Sequence, residues 1–168
     1  RTAIYKNDSI VDHYETTFGF RWVEWTADKG FFLNGEHIYL EGANVHQDHA
    51  GWGDAITKAG VYRDLKLMKD AGFNLIRGSH YPHHPYFTKV CDELGLLFLP
   101  ENCVWGIGGF GDDGNWKSST YPIHKKDMEA YNESAKKTLE ELIKINKNSP
   151  SVIAWSMSNE PFFSANTV

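Results

Sequence analysis

The chain has 168 residues, of which 41% are hydrophobic and 14% aromatic, and a formal net charge of −5. That is enough apolar material for one domain with a real core, and it lacks the clustered basic surface that nucleic-acid binding requires, since Lys and Arg never run more than two together. No apolar stretch approaches the roughly 18–20 residues that cross a bilayer, and two cysteines, Cys91 and Cys103, supply neither a disulfide framework nor a metal set.

In chain order, residues 1 to about 28 read as extended, with period-two alternation of aromatic and β-branched residues from Tyr14 to Trp25. Asn34-Gly35 lies between the apolar runs Phe31-Phe32-Leu33 and Ile38-Tyr39-Leu40. Both central residues of a type I′ turn need positive φ, so this dipeptide predicts a hairpin. Beyond it, strands and helices alternate. Leu40 to Val45 predicts a strand, and Thr57 caps a helix whose stripe is Val61, Leu65 and Met68. Leu75-Ile76-Arg77 predicts a short strand. Pro85 opens the next helix, with Phe87, Val90, Cys91 and Leu94 on one face and Gly95 as its stop. Leu96 to Leu99 reads as a strand buried on both faces. A Gly-rich loop, 106–121, is of the length that compact domains keep for function. The longest helix is expected over Lys125 to Asn146, with Met128, Tyr131, Ala135, Leu139 and Leu142 inward, and Val152 to Met157 predicts a last buried strand.

Four strands and three helices in this alternation mean parallel strands with right-handed crossovers. Periodicity leaves two α/β architectures open, an open doubly wound sheet and half a (β/α)8 barrel. Polar residues gather where the strands end: Asn44 and His46, Ser79 and His80, Glu101 and Asn102, Asn159 and Glu160. Both architectures keep their chemistry at that end of the sheet.

Asn74-Leu75-Ile76-Arg77-Gly78-Ser79-His80-Tyr81-Pro82, followed by Cys91-Asp92-Glu93-Leu94-Gly95-Leu96-Leu97-Phe98, resembles the first signature of glycoside hydrolase family 2. Asn148 to Glu160 resembles its second signature, and Gly42-Ala43-Asn44-Val45-His46 its first barrel strand. The family comprises β-galactosidases, β-glucuronidases and β-mannosidases. The resemblance implies a partial (β/α)8 TIM barrel, about the first four βα units, over residues 29–168. Residues 1–28 would then be the terminal strands of a preceding immunoglobulin-like domain.

By the same resemblance Glu160 matches the general acid/base and Asn159 the asparagine that binds the sugar 2-hydroxyl. His46 and His80 match histidines of the sugar subsite, and Arg77 an arginine packed near the nucleophile. The nucleophile is a glutamate expected on a seventh strand, which this chain does not contain. A retaining glycosidase protonates the departing oxygen with one carboxylic acid and attacks the anomeric carbon with another about 5–5.5 Å away. Asn102 and Trp105, just past the third strand, are further candidate sugar contacts. Some β-galactosidases of the family bind magnesium through a Glu and a His after that strand. Glu101 to Gly106 offers no such pair, so neither a metal site of that kind nor a cofactor is expected. The loop sequences His46 to Gly53 and Gly108 to Gly114 resemble β-galactosidase-type members, with β-glucuronidase as the alternative.

Plainer readings stand beside these. Asn-Glu-Pro after a strand also suits an acidic helix start. His46, His49, His80 and His83 form a weak zinc-ligand set without a supporting cysteine, and His83 and His84 are expected on a loop surface. A half barrel could also be a carbohydrate-binding unit without turnover. The expected partners are a carbohydrate substrate and the remainder of the parent polypeptide. Half a barrel would leave unpaired edges and uncover the inner faces of Leu40, Ile76, Leu97 and Ile153, which favours association of the isolated chain. The compartment is left open.

Overall fold

Asn34 and Gly35 take φ angles of 53° and 85° in the computed structural model, which describes residues 1–106 and 108–161. Residues 107 and 162–168, included in the loop and domain expectations above, lie outside the described residues. The turn at Asn34-Gly35 joins β4 (Gly30–Leu33) to β5 (Glu36–His37), pairing Phe32 with His37 as the sequence predicts. On its other side β4 pairs antiparallel with β3 (Val23–Thr26). The expected division at residues 28 and 29 thus falls in a hairpin turn within one sheet.

Upstream, β1 (Thr2–Lys6) and β2 (Ser9–Tyr14) make a two-stranded ribbon. The alternation from Tyr14 to Trp25 does not form one strand. Residues 15–22 are irregular, and Phe18, Phe20 and Trp22 are exposed. Their polar groups are drawn elsewhere: the Gly19 N–H donates to the Asn148 carbonyl at 3.2 Å, and the Arg21 guanidinium donates to the Val152 carbonyl. A Cβ on Gly19 would lie 2.7 Å from the Pro150 ring, so only glycine permits this approach.

The parallel sheet is β6 (Gly42–His46), β7 (Leu75–Ser79) and β8 (Leu97–Pro100), in chain order. α1 (Lys58–Asp70) connects the first pair, its first turn capped by Thr57 Oγ1 accepting from the Gly60 N–H at 3.1 Å. α2 (Pro85–Leu94) connects the second pair and stops at Gly95 in the left-handed conformation. The register aligns Ala43, Ile76 and Phe98 at one level. Their side chains face the helices, and Ile76, Phe98 and Val152 join Val61, Leu65, Phe87, Val90 and Cys91 in the core. Ile76 is therefore not an uncovered inner residue. It has no exposed surface, because period two puts it opposite Leu75 and Arg77, which face inward.

Residues 151–156 run parallel to β8 but not as the continuous strand expected. Phe98 bridges Val152 and Glu101 bridges Ser156, three steps along β8 against four along the partner. The hydrogen bonds have the same offset, Ile153 N–H to Phe98 O and Ser156 N–H to Pro100 O. One extra residue is accommodated as a bulge, a device that re-aims side chains beside functional sites. The long helix begins as a 3-10 turn, Lys125–Asp127, and continues as α3 (Met128–Asn146), turning Met128, Tyr131, Ala135, Leu139 and Leu142 inward. The 106–121 loop contains a small hairpin of β9 (Gly109–Phe110) and β10 (Trp116–Lys117).

His83 is not on the surface. It is 9% exposed and packs on Tyr81 and Phe87, with ring centroids 5.5 and 4.7 Å away. Burial pushes its imidazole pKa down to about 4, the carbonyls of Tyr81 and Val45 opposing only in part.

Two outcomes follow for stability. Leu65→Ala, at a site with no exposure, should cost about 2–5 kcal/mol in chemical denaturation, whereas Leu67→Ala, on the exposed side of α1, should change stability by no more than about 0.5 kcal/mol. An unfolded histidine takes up its proton near pH 6.5, above the folded His83 value. Its contribution is therefore complete above pH 6.5 and is lost as pH falls toward 4, on the order of 3 kcal/mol in all. His83→Phe should flatten that loss when urea midpoints at pH 7 and pH 4.5 are compared.

Candidate active site

Strand register decides which side chains meet at the carboxyl end of the sheet. Asn44 pairs with Arg77, and His46 with Ser79, one face of the sheet carrying them toward the same mouth. β8 hands over to Glu101 and the bulged segment to Ser156, so four chain segments converge on one point.

That point is the Glu101 carboxylate, which has no exposed surface. Arg77 meets it side-on, Nε donating to Oε2 at 2.8 Å and Nη2 to Oε1 at 2.9 Å. Ser156 Oγ donates to Oε2 at 2.5 Å, and His80 Nδ1 lies 3.1 Å from Oε1. Burial alone would raise the carboxyl pKa. The hydrogen bonds from Arg77, Ser156 and His80, with the Arg77 charge, outweigh it and hold Glu101 below the usual glutamate value. Arg77 reaches further, donating from Nη2 to Asn159 Oδ1 at 2.8 Å and from Nη1 to Asn44 Oδ1 at 3.4 Å.

Around this centre stands an aromatic wall. The His46 and His80 rings meet edge to face with centroids 4.8 Å apart, and the Trp105 ring lies 6.4 Å from both His80 and Tyr81. Glu160, next to Asn159, is exposed and has a φ of 43°. Its backbone is held from two sides. The Asn159 N–H donates to the Val104 carbonyl at 2.8 Å, and Thr120 Oγ1 donates to the Glu160 carbonyl at 3.2 Å. Tyr131 on α3 donates its hydroxyl to the Thr120 carbonyl at 3.0 Å, tying the long helix to the same support.

The structure thus brings His46, His80, Arg77, Trp105 and Asn159 into one region, with Glu160 beside them. Asn102 is not part of it. It is 3% exposed, its Nδ2 donates to the Ala135 carbonyl at 3.1 Å and its Oδ1 accepts from the Cys103 N–H at 2.9 Å, so its amide fastens the end of β8 to α3. The four histidines do not form a metal set. His49 stacks on Trp52 and contacts Arg63, and among the described residues no three His, Cys, Asp or Glu side chains are arranged to hold a metal. Sequence reasoning gave Glu101 no role beyond its place at a strand end. The one available signal was an acidic residue directly after an apolar strand that also ends in proline.

The TIM barrel domain model of glycosyl hydrolases family 2 matches residues 25–168. Among curated proteins, a β-glucuronidase from Bacteroides fragilis is 34% identical over 94% of this chain and 21% of its own length. A β-galactosidase from Pseudoalteromonas haloplanktis is 32% identical over 94% of this chain and 14% of its own. A crystal structure of a β-glycosidase from Bacteroides vulgatus superposes with a TM-score of 0.78 at 29% identity, covering 97% of this chain and 20% of that one. The chain spans 14% of the length of one of the curated relatives it matches and 26% of another. That family model covers most of the chain, and the chain belongs to glycosyl hydrolase family 2, residues 25–168 lying within its TIM barrel domain.

Proposed function

We propose that the polypeptide containing this chain is a retaining β-glycosidase in which Glu160 is the general acid/base and Asn159, His46, His80 and Trp105 face the sugar. The observation that carries this reading is the placement of Asn159 and Glu160 at the strand-end mouth, with Asn159 bonded to the Arg77 that Glu101 holds. The acid must keep its proton until the glycosidic oxygen departs, then give it up and activate water. A neighbouring nucleophilic carboxylate makes both possible, because its negative charge favours the protonated acid and disappears when the glycosyl-enzyme forms. That nucleophile is a glutamate supplied from outside these residues. Residues 29–168 are the N-terminal half of the barrel. Residues 1–28 end an immunoglobulin-like domain, with β3 shared between that domain's tail and the hairpin that opens the barrel.

For the sugar, a β-galactoside is the first reading, supported by the loops His46 to Gly53 and Gly108 to Gly114. A β-glucuronide is the second, favoured by relatives named β-glucuronidase at 34% identity against 29–32% for those named β-galactosidase. Hydrolysis of nitrophenyl β-galactoside and β-glucuronide by the full-length protein decides between them. A kcat/KM at least tenfold higher on the glucuronide would replace the first reading with the second.

Glu160→Gln should lower kcat on glycosides with poor leaving groups by roughly 10²–10⁴ while sparing much of the rate on dinitrophenyl glycosides, whose leaving group needs no proton. Equal loss on both would remove the acid role.

A further inference from the structure

Glu101 is a buried carboxylate with four donor contacts from three residues on two chain segments and no reach to a substrate of its own. We propose that Glu101 is a positioning residue that acts through Arg77 to aim the Asn159 amide at the sugar 2-hydroxyl, an inference that rests on the glycosidase reading above. Arg77 Nη2 carries two N–H groups, and both are used: one on Glu101 Oε1 at 2.9 Å, the other on Asn159 Oδ1 at 2.8 Å. Asn159 therefore has its oxygen turned to Arg77 and its Nδ2 turned the other way, as a donor without a partner among the described residues. Without the fork from Glu101, Arg77 would be free to rotate about its long side chain, and the amide could flip.

The same count settles the His80 tautomer. His80 Nδ1 lies 3.2 Å from Arg77 Nη2, but that nitrogen has no hydrogen left to give. The ionised Glu101 only accepts, so Nδ1 carries the proton and donates to Oε1. In the neutral imidazole Nε2 is then left as the acceptor. One carboxylate thus sets a donor on Asn159 and an acceptor on His80. An Arg is needed at position 77 because a lysine ammonium cannot present two parallel donors to Glu101 and a third bond to Asn159 from the same plane.

The test compares two substrates in the full-length protein, a nitrophenyl β-glycoside and its 2-deoxy analogue. Glu101→Gln keeps the size of the side chain but sets an amide donor against donors. It should lower kcat/KM on the parent glycoside by about 10- to 100-fold, as loss of a supporting partner does elsewhere, mostly through kcat, and on the 2-deoxy glycoside by less than about threefold. Equal loss on the two substrates would overturn the inference while leaving the glycosidase reading intact. A wild-type protein that hydrolyses neither would overturn both. If Glu101→Gln does not fold, Arg77→Lys, at a partly exposed site that keeps the charge and loses the fork, is measured in the same way, and the same comparison decides.

Discussion

Glu101 puts a carboxylate where solvent does not reach, and that is tolerable only because Arg77 answers it with two donors and Ser156 and His80 with one each. Taking an ion out of water costs several kcal/mol, and a partner's attraction offsets this only when geometry is good and the remaining lone pairs are filled. Here both oxygens accept two bonds. The pair joins the ends of β7 and β8, and through Ser156 and Asn159 it reaches the segment that delivers Glu160. Losing either ion would leave the other uncompensated, typically a matter of 3–5 kcal/mol for buried pairs.

The sheet separates two kinds of work by alternation. One face sends Ile76, Phe98 and Val152 into the helices, where α1 and α2 complete an apolar core. The other carries Asn44, Arg77 and His46 to the mouth. Strength and chemistry therefore occupy adjacent residues of the same strands without competing for the same space. The bulge before Ser156 belongs to this division. With one extra residue, Val152 keeps its place in the core while Ser156 still lands on Glu101.

Signals that act over a few residues were legible in the sequence. Asn34-Gly35, Thr57, Pro85 and Gly95 each fix local backbone geometry, and each sits where the pattern put it. The inward stripe of α3 followed from its period. What was not legible depends on distant partners. His83 reads as a loop residue, and only Tyr81, Phe87 and Phe98 closing around it make it a buried one. Asn102 reads as a site residue by position, but α3 brings the Ala135 carbonyl to its amide. Glu101 has no local feature that distinguishes a buried anion from an exposed one. Residues 15–22 alternate like a strand yet pair with no strand among the described residues, and Asn148, Pro150 and Val152 hold Gly19 and Arg21 instead.

That last contact links parts of the chain far apart in sequence. The Gly19 amide and the Arg21 guanidinium grip the backbone at Asn148 and Val152, the turn and first residue of the segment that ends at Asn159 and Glu160. The irregular stretch that leads into β3 is thus tied to the backbone that runs on to Asn159 and Glu160. Val152 stands only eight positions before Glu160, so the grip on Arg21 and the support of the mouth share one short stretch of backbone.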